Sequence, residues 1–275
     1  FILVSLLVSC VSTPTEKEGI DLEQTICGFK ESFAFWLWNT AAGRPDFERV
    51  KNIENLQSTS FKTKDNRILK GYLLKAYSSA GKIGTTKGYL LVAQGNAMLA
   101  DQIIGGFQDY SYAGYDVYIF DYRGYGRSEG KRRLKAIFSD YEEIIDHLNS
   151  HSYSHHLFYG MSLGGIVLLN ALQDHTAVTR LVIDSAPSHI SDYGCPDTHD
   201  PANILPADCT NLLLIAGQKD TVVTSAMSAK LLDVAGMRGA SLLQDPNLAH
   251  PFMDKDMTLH HRRMRAVRRF LLNDK

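Results

Sequence analysis

The sequence predicts an α/β fold, a mostly parallel central sheet with helices on both faces, entered through an N-terminal antiparallel hairpin. Three observations carry that reading. Five short apolar runs, YLLVAQG (89–95), DVYIFDY (116–122), HLFYGMS (156–162), RLVIDSA (180–186) and NLLLIAG (211–217), have the composition of strands buried on both faces. Amphipathic stretches separate them, the clearest placing Ile137, Tyr141, Ile144, Ile145 and Leu148 on one helical face. Ahead of them, SFKTKDNRILKGYLLKA holds two strand-like segments about Asp65-Asn66, the pattern of a hairpin. With no internal repeat and no low-complexity segment, this alternation describes one domain over residues 58–275.

Bulk properties narrow the partners. A chain of 275 residues, 44% hydrophobic and 21% charged, has an ordinary globular composition, and a net charge of −1 supplies no field toward nucleic acid. No obligate protein partner is evident. The cysteines at 10, 27, 195 and 209 form no C-x-x-C pair, so a structural zinc site is not expected. Cys195 and Cys209 share one Pro/Asp-rich loop and are candidates for a disulfide in an oxidising compartment; two reduced loop cysteines are the alternative. HSYSHH, with His151, His155 and His156, reads as a polar helix-to-strand connection and not as a metal site.

The first ten residues, FILVSLLVSC, are too short an apolar run to span a bilayer. They resemble the end of a bacterial lipoprotein signal, with Leu7-Val8-Ser9-Cys10 as the lipobox and the basic leading region missing. That resemblance implies residues 1–9 as partial signal, Cys10 as the lipidated residue, and an envelope protein anchored to a membrane and facing the periplasm. Residues 10–57 then comprise the anchor, a polar tether and the aromatic stretch FAFWLWNTAAG (33–43), expected as a helix packed on the body, with contact to lipid headgroups as the other reading. At the other end, MTLHHRRMRAVRRFLLN places Met264, Val267, Phe270 and Leu271 on one helical face and its arginines on a solvated one.

Two serines fit G-x-S-x-G, Ser162 in YGMSLGG and Ser128 in GRSEG. Context separates them. A nucleophile elbow needs a strand running into the serine and a helix leaving it, because the sharp turn lifts the hydroxyl above the sheet edge. Leu157, Phe158 and Tyr159 enter Ser162, and Ile166 to Leu169 leave it as an apolar helix. Gly160, Gly164 and Gly165 remove side chains where strand and helix pass closely. Ser128 lies in the glycine-broken loop DYRGYGRSEG and has neither flank.

A serine hydroxyl needs a base, and the base needs a partner to hold its tautomer. His250 is the candidate base, ending the strand-like run SLLQDPNLAH before Pro251. His189 and His199 are weaker rivals, and His175, His260 and His261 read as surface residues. Asp220, just beyond the buried run LLLIAG, is the candidate acid, with Asp184 as runner-up. The oxyanion donors are expected to be the main-chain N–H groups of Leu163 and of Asn96, with Ala97 as the neighbour to watch.

These segments together resemble the α/β-hydrolase superfamily over nearly all of residues 58–275: GMSLGG the elbow, DYRGYGRSEG the loop after the preceding strand, GQKDTVV the acid loop and AHPF the histidine loop. The resemblance implies the α/β-hydrolase fold, a Ser162, Asp220, His250 triad, a small acyl ester as substrate, and neither metal nor organic cofactor. Where relatives often read HGN, this chain has QGN, Gln94 to Asn96, a difference that bears on loop packing more than on catalysis. The short, non-periodic segment between DSAP and TNLLLI leaves no room for a large helical lid, so a minimal lid and an open site are expected.

Overall fold

Strands form where the apolar runs predict them, and the computed structural model describes residues 21–77 and 86–273. The hairpin about Asp65-Asn66 is β1 (Leu56–Lys62) and β2 (Ile68–Leu74), with Asn66 in the turn at φ 65°. The apolar runs follow as β3 (Gly88–Ala93), β4 (Tyr115–Phe120), β5 (His155–Met161), β6 (Arg180–Asp184) and β7 (Leu212–Gly217), and β8 (Ser241–Asp245) closes the sheet. Their order across the sheet is β1-β2-β4-β3-β5-β6-β7-β8. The β1–β2 and β2–β4 pairs are antiparallel and every later pair is parallel.

Among the described residues seven α-helices accompany the strands: α1 (Gly28–Ala42), α2 (Ala100–Ile103), α3 (Gln108–Tyr112), α4 (Leu134–Asn149), α5 (Leu163–Ala171), α6 (Ser225–Met237) and α7 (Met257–Leu272). They divide the core into two layers. Tyr89, Leu91 and Ala93 of β3 pack with α4, α5 and α6, whereas Leu90 and Val92 pack with α2, α3 and α7. Alternation of side chains along a strand thus survives even where every residue is buried. The stripe read on α4 is real: Ile137, Tyr141, Ile144, Ile145 and Leu148 are all buried.

Three expectations are corrected. Cys195 pairs not with Cys209 but with Cys27, a disulfide closing a separation of 168 residues, while Cys209 is buried and free. Spacing suggested the local pair; folding lays the segment before α1 against the loop after β6 instead. The aromatic stretch is helical, yet only Glu31, Phe35 and Ala42 of α1 are buried, and Phe29, Phe33, Trp36, Leu37 and Trp38 are exposed. Finally, the arginines of α7 do not all face solvent, since Arg263 is 1% exposed. The expected signal residues 1–9 and Cys10 lie outside the described residues.

Helix α1 is held by its inner side and its ends. The Glu31 carboxylate accepts the N–H groups of Ile26, Cys27 and Leu134, so one buried charge serves the positive ends of both α1 and α4. Phe35 packs edge-on against Tyr125, and the Gln102 side chain donates to the carbonyl of Ala42 at 2.9 Å.

Candidate active site

Strand β5 runs straight into Ser162, and α5 begins at the next residue. Ser162 adopts φ 54° and ψ −118°, a conformation that costs a non-glycine residue of order 1–3 kcal/mol. The turn is over-determined by its surroundings. The Ser162 N–H donates to the carbonyl of Asp184 at 2.8 Å. A Cβ on Gly164 would lie 1.9 Å from the carbonyl oxygen of Ala93, so only glycine lets α5 start this close to β3. The peptide after β3 lies alongside, with an ideal Cβ on Gly95 falling 3.7 Å from the Ser162 Cβ.

Histidine and acid arrive from the next strands of the same edge. His250 Nδ1 lies 2.8 Å from Asp220 Oδ2, with side-chain exposures of 12% and 0%. The Asp220 Oδ1 accepts the N–H groups of Val222 and Val223, each at 2.8 Å. Burial pushes the Asp220 carboxyl up, but the His250 hydrogen bond and charge and the two N–H groups outweigh it and hold it below its ordinary range. With Nδ1 committed to Asp220, Nε2 is the ring nitrogen left for a reacting group. The two loops are tied together by Gln218 N–H to Asp245 O at 2.9 Å and Lys219 N–H to Leu248 O at 3.0 Å.

The structure does not join every predicted partner. No hydrogen bond links Ser162 Oγ to His250 among the described residues. Catalytic contacts of this kind commonly close only when substrate is bound. A cleft of about 740 Å³ borders His250, Lys219, Thr221 and Met253 without reaching Ser162, so it adjoins the histidine and does not enclose the serine. The N–H groups of Asn96 and Leu163 have no acceptor among the described residues. The Asn96 side chain accepts from the Tyr125 hydroxyl, and Ala97 sits at φ 63° in the same turn. Gln94, the departure from HGN, is fully buried; its side-chain amide N–H donates to Phe120 O at 2.8 Å and its main-chain carbonyl accepts from the Tyr122 hydroxyl, locking the ends of β3 and β4 together.

The rejected candidates have other work. Ser128 donates to Asp121 O at 2.7 Å and accepts the Lys70 N–H at 2.9 Å, which commits its hydroxyl to the loop. Asp184 accepts from the Tyr159 and Ser185 hydroxyls and makes no hydrogen bond to His250. His189 pairs with Asp200 at 3.1 Å, and His199 with Asn170 at 2.7 Å, both in loops away from the Asp220–His250 pair.

One residue of the site escaped sequence reasoning. Arg263 of α7 donates to the carbonyl of Ala249, next to His250, and its guanidinium lies 3.8 Å from both Asp184 and Asp254. Asp254 in turn accepts the Ala249 N–H at 2.8 Å. Burial pushes the Asp184 carboxyl up and the Arg263 charge works against it. Arg263 therefore connects the peptide behind Ser162 to the loop that carries His250. The signal was present: positions 263, 267 and 271 share one face, placing this arginine in the apolar stripe of Val267 and Leu271.

The fold is shared with known proteins. A family model described as "Serine aminopeptidase, S33" matches residues 84–201, a span that includes Ser162 but neither Asp220 nor His250. The esterase Pf2001 of Pyrococcus furiosus superposes with a TM-score of 0.62 at 17% identity, covering 84% of this chain and 96% of that one. The chain has the α/β-hydrolase fold. The esterase domain of a Rhodothermus marinus protein shares the fold, with a TM-score of 0.60 at 16% identity over 79% of this chain and 98% of the other. Among curated proteins, YfhR of Escherichia coli strain K12, itself uncharacterised, is 25% identical over 198 residues, 65% of this chain and 68% of its own. An uncharacterised membrane protein of Saccharomyces cerevisiae, YNL320W, is 42% identical over 59 residues, only 21% of its length. Family match and fold together support a hydrolase.

Proposed function

We propose that this hydrolase cleaves carboxylic esters through an acyl-enzyme on Ser162. The observation that carries the proposal is the strained Ser162 turn at the sheet edge where the buried Asp220–His250 pair also stands. In this reading His250 removes the Ser162 proton through Nε2 as the hydroxyl attacks the ester carbonyl. Asp220 fixes the ring and balances the imidazolium that forms. The N–H groups of Leu163 and Asn96 receive the oxyanion. His250 then protonates the departing alcohol, and the same ring activates water to release the acid and regenerate Ser162.

A fluorophosphonate probe is expected to label the protein on Ser162, and Ser162→Ala to abolish labelling. Hydrolysis of a short-chain p-nitrophenyl ester is expected to fall by about 10⁶-fold in Ser162→Ala or His250→Ala, leaving only what binding and the oxyanion donors supply. Undiminished labelling of Ser162→Ala would place the nucleophile elsewhere, and a wild-type protein that neither labels nor turns over ester would be a binder on a hydrolase fold. The matching family model is described as an aminopeptidase, which favours an amide as the second reading. Comparing an aminoacyl p-nitroanilide with the ester at equal enzyme decides between them.

We place the protein in a bacterial envelope, anchored through Cys10. The apolar run ending at that cysteine supports this, and so does a Cys27–Cys195 disulfide, a bond that persists in oxidising compartments. Metabolic labelling with a radioactive fatty acid, lost in Cys10→Ser, is the expected result.

A further inference from the structure

Helix α1 presents two unlike sides. Glu31, Phe35 and Ala42 point inward. On the opposite side Phe29, Phe33, Trp36 and Leu37, spaced i, i+4, i+7 and i+8, are 81%, 54%, 59% and 48% exposed, with Trp38 beside them at 40%. The rings are contiguous, Phe29 to Phe33 at 6.4 Å and Phe33 to Trp36 at 6.0 Å between centroids. Water-exposed aromatic area on this scale marks a surface that something covers. The only acidic residue of the helix, Glu31, is turned inward, and the charge left outside is the cation Lys30.

From these observations we infer that the outer side of α1 rests in the headgroup region of a lipid bilayer. Tryptophan favours that depth because its indole N–H stays wet while the ring body leaves water, and phenylalanine and leucine beside it bury apolar area. No carboxylate on this side opposes an anionic surface. The chain outside the described residues leads the same way. Its apolar run ends at Cys10, and the ten residues from 11 to 20 reach at most about 35 Å, so a membrane-held Cys10 keeps α1 close to that membrane. Among the described residues no helix is long and apolar enough to cross a bilayer, and the 15 residues of α1 span only about 23 Å, so a bilayer contact of α1 runs along the surface. Its attachments set what the contact does: α1 touches α2, which follows β3, through Gln102, the loop after β4 through Tyr125 and, by way of Cys27 at its start, the loop after β6 through Cys195, and of these strands β3 and β6 flank β5, which leads to Ser162. Resting on lipid, α1 brings the rim of the site toward molecules dissolved in the membrane.

Both tryptophans of the chain are on α1, so tryptophan emission, excited to the red of tyrosine absorption, reports this helix alone. The full chain carrying Cys10→Ser, which removes the anchor, is mixed with vesicles of phosphatidylcholine containing a minority of phosphatidylglycerol. The expected result is a saturable blue shift of emission, quenching by lipids brominated near the headgroup, and a partition coefficient reduced at least about tenfold in Phe33→Ser/Leu37→Ser, which keeps both reporters. An unchanged thermal midpoint for that variant shows that its fold is intact. Emission that lipid does not move overturns the proposal. So does emission already blue-shifted in buffer: if dilution reverses it, a second copy covers the helix, and if dilution leaves it, residues 1–10 do.

Discussion

Arg263 and Asp121 show how a single charge inside this protein acts at a distance from where it sits. Replacing Arg263 by Met leaves Asp184 and Asp254 without their buried cation, a change expected to cost about 3–5 kcal/mol of stability. As a positioning residue, Arg263 is expected to act on kcat more than on KM, since it holds the Ala249 carbonyl beside His250 and touches no substrate. Arg263→Lys is expected to restore little, because a point charge cannot span the carbonyl and two carboxylates as a planar fork does. Steady-state kinetics and thermal midpoints of the two variants check both statements. Asp121 behaves differently, burial pushing its carboxyl up to about 6 against the N–H of Ala100 and of Arg127. The unfolded chain releases that proton near about 3.9. Between the two values the folded state binds more protons, so stability is expected to fall as pH rises from about 4 to about 6 and to level off above. Asp121→Asn flattens that slope in denaturant midpoints measured across the interval. Asp220, held below its ordinary range, works in the other sense: its contribution is present above about 3.9 and is lost as pH falls through its lower folded value.

The junction of β5 and α5 is the part of the architecture with least tolerance. A methyl group on Gly164 would overlap the Ala93 carbonyl, and one on Gly165 would press to 2.9 Å from the Ile183 side chain. Gly164→Ala is expected to cost about 3 kcal/mol and to carry the Ser162 hydroxyl away from its place at the edge. The check is a pair of measurements, a lowered unfolding midpoint and slower fluorophosphonate labelling in the fraction that remains folded. The histidine loop has no such backbone contact with the elbow; it is set by the tie to the acid loop, by Asp254 and by α7. Disturbing α7 is therefore expected to move His250 while leaving Ser162 in place.

Among the described residues the longest-range covalent constraint is Cys27–Cys195, which binds the segment before α1 to the loop after β6. Closing so long a loop removes freedom chiefly from the unfolded chain, and Cys27→Ser or a reductant is expected to cost about 2–4 kcal/mol. Cys209→Ser, which breaks no bond, is the matched control in the same thermal scan. The disulfide also explains how a helix with so little buried surface stays on the body. Its inner side contributes Phe35 and Ala42 to the core, and its beginning is pinned covalently.

The sheet, the α4 stripe and the strand-to-helix turn at Ser162 were legible in the sequence because each depends on neighbours a few positions away. Burial on two faces shows as continuous apolar residues, and an elbow shows as strand, serine and helix in succession. The places of Asp220 and His250 were legible for the same reason, each lying just past a strand whose end is an edge. Three things waited for the tertiary structure: the partner of Cys195, the side of α1 that faces out, and the burial of Arg263. Each is a contact between segments far apart along the chain, and local periodicity carries no term for which distant surface a cysteine, a ring or a guanidinium will meet.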